Sequence, residues 1–144
     1  MVRFGIAAIA ALVGTGTGTG TAQAAELTKI DIVTRHMNAV NNKDIEGAVR
    51  DYADDAVMIL PGKVVEGKAA LRALFLAGFA RVPANQGLGM EIERIWQEGR
   101  EIVAAPWHKG TTLNGIDKFL VRDGKIVAQS VFLSGEPPIP AGAK

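Results

Sequence analysis

Apolar residues change their period once along this chain, and that change limits the fold more than any single motif. Leu27, Ile30, Val33, Met37 and Val40 share one helical face, which predicts a first helix over about Leu27 to Val40. Asn41, Asn42 and Asp44 offer turn and capping groups, and Ile45, Ala48, Val49 and Tyr52 resume the spacing in a short second helix. Asp54-Asp55 break it. The β-prone run Ala56 to Leu60 then turns at Pro61-Gly62 into Val64-Val65, a small hairpin. Gly67 opens a third helix, in which Leu71, Leu74, Phe75, Gly78, Phe79 and Val82 form a buried stripe that ends at Pro83.

Beyond Pro83 the period becomes two. Met90 and Ile92 alternate with Glu91 and Glu93 in a strand with one wet face, and the phase slips near Arg94. Glu98-Gly99-Arg100 turns into a strand from Ile102 to Thr112, where Pro106 requires an edge position or a bulge. Asn114-Gly115 signals a hairpin into Ile116 to Val121, and Arg122-Asp123-Gly124 leads into a last strand, Ile126 to Leu133. Helices first and strands last define an α+β fold. Three N-terminal helices cover one face of a curved antiparallel sheet, with room for a pocket between the layers.

The 144 residues suit one domain. Sixteen Lys and Arg oppose fifteen Asp and Glu with no block of like charge, so no nucleic-acid partner is expected. The lack of cysteine removes disulfide scaffolds, thiol nucleophiles and Cys-ligated zinc. The two histidines, His36 and His108, lack HxxxH or HExxH spacing, and neither a metal nor a cofactor is expected. Arg3, the apolar run Phe4 to Val13 and Ala22-Gln23-Ala24 have the layout of an export leader cut after Ala24, which predicts a periplasmic or secreted protein. The apolar run is shorter than the ~20 residues of a membrane span, so none is expected in the mature chain. The Gly14 to Gly20 repeat lacks GxGxxG spacing and belongs to the leader. One domain over 25–135 and a loosely held tail, 136–144, with Pro137, Pro138 and Pro140, complete the organisation.

Val33 to Pro61, with Asp44-Ile45-Glu46-Gly47 and Tyr52-Ala53-Asp54-Asp55-Ala56-Val57, resembles the opening of the nuclear-transport-factor-2-like superfamily, in particular its SnoaL-like and ketosteroid isomerase-like members. Glu66 to Arg72 resembles that family's entry into helix three. Gly115 to Phe119 and Asp123 to Ile126 resemble its closing hairpin. The resemblance implies a conical, cystatin-like fold with a hydrophobic cavity, commonly homodimeric, hosting isomerases, polyketide cyclases, dehydratases, ligand carriers and association modules. It also implies roles. Asp117, in the run Ile-Asp-x-Phe, matches the strand acid that donates to the enolate oxygen in ketosteroid isomerases. His36 falls where those enzymes carry a helix-one tyrosine, and Leu60 falls where they carry the carboxylate base.

The residues themselves leave alternatives open. Asp117 alternates with Phe119 and Val121, so an inward face would raise its pKa, whereas a position near a turn suits a structural acid. His36 lies at the edge of the helix-one stripe as a catalytic partner of Asp117 or a core histidine. His108 joins the Asp117 face if Asn114-Gly115 forms a two-residue turn, and is a surface strand histidine otherwise. Gln129 neighbours Asp117 if Arg122-Asp123-Gly124 is a three-residue turn; a two-residue turn substitutes Ser130. Tyr52, Met58, Leu60, Phe75 and Phe119 are candidates for a pocket lining or for plain core. Asp54-Asp55 read as capping and turn residues, since adjacent side chains diverge too far to act as paired carboxylates. Together these predict an exported protein that binds a small apolar ligand. It is an isomerase, cyclase or dehydratase using Asp117 and His36, a carrier, or an association module dimerising through an outer sheet face with Leu120 or Phe132.

Overall fold

A computed structural model of the chain describes residues 26–135; the expected export leader with its cut after Ala24 and the expected tail 136–144 lie outside them. Helix α1 (Lys29–Asn41) starts where Thr28 and Asp31 cap one another, each side chain accepting from the other's backbone N–H. Its buried face keeps Val33, Met37 and Val40 of the stripe the periodicity predicts and adds Ile32 and His36, whereas Leu27 and Ile30 are exposed. Asp44 caps the short α2 (Ile45–Arg50) by accepting from the Gly47 N–H at 3.0 Å. Arg35 makes a two-pronged pair with the buried Asp51, pinning α1 to the end of α2.

Strand β1 (Tyr52–Leu60) begins earlier than expected, so Tyr52 belongs to it and not to the second helix. Asp54 and Asp55 lie exposed within β1 instead of in a cap or turn, where its register with the neighbouring strand slips between Tyr52 and Val57. The turn at Pro61-Gly62 leads into β2 (Lys63–Glu66) as expected. In α3 (Lys68–Phe79) only Leu71 is fully buried. Leu74, Phe75 and Phe79 are half-buried and Gly78 is exposed, because that stripe faces a hollow and not solid core.

The remaining strands are β3 (Glu91–Ile92), β4 (Trp96–Glu98), β5 (Ile102–Lys109), β6 (Leu113–Arg122) and β7 (Lys125–Ser134). The sheet order is β2-β1-β7-β6-β5-β3, with β4 also on β5. One pair departs from the antiparallel expectation: β1 and β7 run parallel. Helix α3 and its loop carry the chain to the far edge, and three reversals, β4 to β5, β5 to β6 and β6 to β7, bring β7 back beside β1 in the same direction. The wet-faced strand expected from Met90 is broken into β3 and β4 opposite Pro106. The Pro106 carbonyl accepts from the Glu93 N–H at 2.9 Å, but proline has no N–H to return the bond, and the partner strand loses its ladder there.

Asn114-Gly115 is not a turn. It lies inside β6, paired with His108 and Trp107, and the hairpin closes through Gly110-Thr111-Thr112 with Gly110 at φ 59°. Gly115 is required for packing: a Cβ there would lie 2.3 Å from Cζ2 of the Trp107 indole. The last hairpin turns on two residues, Asp123 and Gly124, at φ 48° and 72°. A bulge then inserts Val127 between the pairs Val121–Ile126 and Leu120–Ala128.

Two glycine substitutions separate these demands. Gly115→Ala should destabilise the protein by about 1–3 kcal/mol through overpacking against Trp107. Gly78→Ala, in the last turn of α3 with open space around its Cβ, should stabilise by about 0.4–1 kcal/mol. Thermal denaturation of the two variants checks both signs.

Candidate functional site

Between the helices and the concave face of the sheet lies a cavity of about 280 Å³. His36 and Val40 line it from α1, Met58 and Leu60 from β1, and Leu74, Phe75 and Phe79 from α3. Leu88 and Met90 close it from the loop after α3, and Trp107, Asp117, Gln129 and Val131 line it from β5, β6 and β7. Asn41 anchors the closing loop at Met90, donating to the Met90 carbonyl and accepting from the Met90 N–H, both at 2.9 Å. Its own carbonyl accepts from the Leu88 N–H at 2.8 Å. An amide at the end of α1 thus acts as a strand partner for the loop.

Alternation along β6 sends Asp117 inward with Phe119 and Val121, and its carboxyl is only 7% exposed. Trp107 Nε1–H donates to Oδ1 at 3.1 Å and Gln129 Nε2–H donates to Oδ2 at 2.9 Å. The Tyr52 hydroxyl donates to Gln129 Oε1, fixing which end of that amide meets the acid. Burial pushes the Asp117 pKa up to about 6 against the pull of the two N–H donors. Burial, together with the Asp117 charge, also pushes the Tyr52 phenol well above its ordinary range, so it remains a donor.

His36 is 1% exposed, with Nδ1 2.9 Å from the Ala48 carbonyl. A carbonyl can only accept, so Nδ1 carries the proton and Nε2 the lone pair. Burial lowers its pKa to about 4, outweighing the Ala48 carbonyl and the Asp51 charge, and the ring stays neutral near pH 7. It stands edge-on to Tyr52 and Phe119, with centroids 5.2 and 5.3 Å apart.

Of the residues singled out from the sequence, Asp117, His36, Met58, Leu60, Phe75 and Gln129 meet at the cavity. Tyr52 and Phe119 are fully buried behind its wall, Tyr52 reaching the acid only through Gln129. His108 lies on the opposite face from Asp117, beside Glu91 at 3.3 Å and Glu93 at 3.6 Å. The true turn at 110–112 moves the register by an odd number of residues, which exchanges the two faces. Gln129 does reach Asp117, but diagonally: a two-residue turn followed by the Val127 bulge pairs Gln129 with Phe119 and Asp117 with Val131. Trp107 escaped notice in the sequence, although its alternation with Val103 and Ala105 places it on the inward face. Among the described residues no three His, Asp or Glu side chains gather as a metal site, and no helix is long and apolar enough to cross a membrane.

The arrangement is that of an α+β cone whose apolar hollow holds one buried carboxyl. The chain belongs to the SnoaL-like domain family, whose sequence model matches residues 33–129. Solved structures share the fold. A SnoaL-like protein of unknown function from Burkholderia thailandensis is 17% identical with a TM-score of 0.63, covering 76% of this chain and 99% of its own. An uncharacterised cystatin-fold protein from Novosphingobium aromaticivorans is 24% identical with a TM-score of 0.62, covering 74% and 98%. A protein from Sinorhizobium meliloti that carries the provisional name polyketide cyclase is 19% identical with a TM-score of 0.60, covering 76% and 99%. No curated protein matches the chain.

His36 and Asp117, both buried, act on stability with opposite signs. His36 titrates at about 4 when folded against an ordinary 6.5, so its contribution is present above pH 6.5 and lost as pH falls to 4. Asp117 titrates at about 6 against 3.8, so its contribution is present below pH 3.8 and lost as pH rises to 6. Each is worth roughly 3 kcal/mol, so they nearly cancel between pH 4 and 6. Asp117→Asn should therefore lose more stability than the wild type as pH falls from 6.5 to 4, measured by urea denaturation across that range. Parallel pH profiles for the two proteins would contradict the assignment.

Proposed function

We propose that the cavity takes up a small, largely apolar molecule and moves a proton on it without a cofactor, as an isomerase, cyclase or dehydratase does. The observation that carries this reading is the Asp117 carboxyl, buried in an apolar chamber with its pKa near 6. That value suits proton transfer close to neutral pH. Both carboxyl oxygens accept N–H donors, which favours the ionised form and makes Asp117 the base, in place of the hydrogen-bond donor that the ketosteroid isomerase resemblance implies. Leu60, at the position where that resemblance places a base, leaves Asp117 as the one carboxyl in the lining among the described residues. His36 takes part through Nε2 as an acceptor toward the substrate. The volume lies just under the ~300 Å³ at which drug-sized pockets begin, so the substrate is compact.

A second reading, a carrier for the same kind of molecule, is favoured by the lack among the described residues of a second lining acid that titrates near neutral pH. In either case we read the chain as exported after Ala24 and as a homodimer joined through the outer sheet face, where Phe132 is 57% exposed.

Ring opening of 5-nitrobenzisoxazole, a probe that needs only a base in an apolar pocket, tests the assignment. The wild type should accelerate it with a rate that climbs as pH passes about 6. Asp117→Asn should lower that rate by ~10²-fold or more while remaining folded. Equal rates would remove Asp117 as the base and leave the carrier reading.

A further inference from the structure

The charge inside the cavity is unbalanced. Among the described residues its lining contains no lysine or arginine, and the Asp117 carboxylate is the one charged group there when His36 is neutral. A buried carboxylate without a counter-charge is costly, and a ligand can supply the missing partner.

The hydrogen bonds point the same way. Trp107 Nε1–H and one Gln129 N–H are engaged by Asp117, the Tyr52 O–H by Gln129, and His36 Nδ1–H by Ala48. What faces the hollow is mostly lone pairs: the remaining ones of Asp117 and that of His36 Nε2. A ligand bringing only a carbonyl or a carboxylate would meet acceptors, whereas one bringing N–H donors would be matched. The rings of Phe75, Phe79 and Trp107 also line the space and attract a cation through their π faces.

We infer that the molecule this cavity accepts carries a cationic nitrogen, an ammonium or iminium group, on a small apolar body. The inference rests on reading the cavity as a ligand site whose base is Asp117. It also resolves the charge of the reaction proposed above. Removing a proton from a neutral ketone would build an enolate with at most the second Gln129 N–H to stabilise it. Beside an iminium, the C–H bond breaks, the proton passes to the Asp117 carboxylate, and the electron pair forms a C=C bond as the C=N π pair moves onto nitrogen. An anion and a cation become a neutral acid and a neutral enamine, which suits an apolar chamber.

Calorimetric titration of the purified protein with benzylamine, benzyl alcohol and benzoate tests this. At a pH well above 6, benzylamine should bind about tenfold or more tightly than benzyl alcohol, the scale of a hydrogen bond to a charged group, and benzoate should not bind. Lowering the pH below about 6 should erase the amine's advantage as Asp117 takes up a proton. The other groups facing it do not titrate there: His36 from α1 lies lower, Tyr52 from β1 lies higher, and α3, β5 and β7 present Phe75, Trp107 and Gln129. Asp117→Asn should lose the preference for the amine over the alcohol. Equal binding of amine and alcohol in the wild type would overturn the cationic ligand while leaving the pocket reading intact. Binding of none of the three would overturn both. An amine preference that survives Asp117→Asn would also overturn the inference, since recognition would then lie elsewhere.

Discussion

Keeping one carboxyl in apolar surroundings is the constraint around which the concave side of this molecule is arranged. Asp117 loses most of its hydration on entering the cavity wall, and the loss is offset by an N–H on each oxygen. Neither donor stands alone. The Gln129 amide is oriented by the Tyr52 hydroxyl from the first strand, and the Trp107 indole lies across Gly115, where the absence of a side chain makes room for it. Four strands of one sheet therefore converge on a single side chain, and the parallel pairing of β1 with β7 is what brings Tyr52 within reach of Gln129.

The helical layer supplies a different kind of environment. α1 is tied down by the Arg35–Asp51 pair on one side, and on the other it presents His36 with its proton directed back at the Ala48 carbonyl. Burial keeps the imidazole neutral against the pull of that carbonyl, and the helices contribute bulk and lone pairs to the hollow without adding charge to it. This asymmetry makes the cavity more than a packing defect. A void left by imperfect packing is lined by apolar groups alone, whereas this one is aimed at by a relay of donors ending on an acid.

Much of the frame is legible in the residue order. The change of period separates helices from strands, and alternation puts Asp117 on one face with Phe119 and Val121, a face that packing then turns inward. What the order conceals is which of two uses a residue serves. The glycine of Asn114-Gly115 reads as a turn because glycine permits left-handed backbone, yet here it makes space for an indole, and the error carries His108 to the wrong face. Gln129 was reachable only by combining a short turn with a bulge, two irregularities that shift the register in ways no local pattern records. The parallel strand pair depends on where α3 delivers the chain, which is a property of the whole path.

The Asn41 clamp gives the molecule a modular character. The segment that roofs the chamber is fastened to the end of a helix, while the acid and its donors are built entirely on the sheet. A descendant of this chain that lengthens or recomposes that roof would change the size of guest admitted and leave the proton-handling apparatus untouched. Selectivity and chemistry can thus diverge along separate evolutionary paths within one small scaffold.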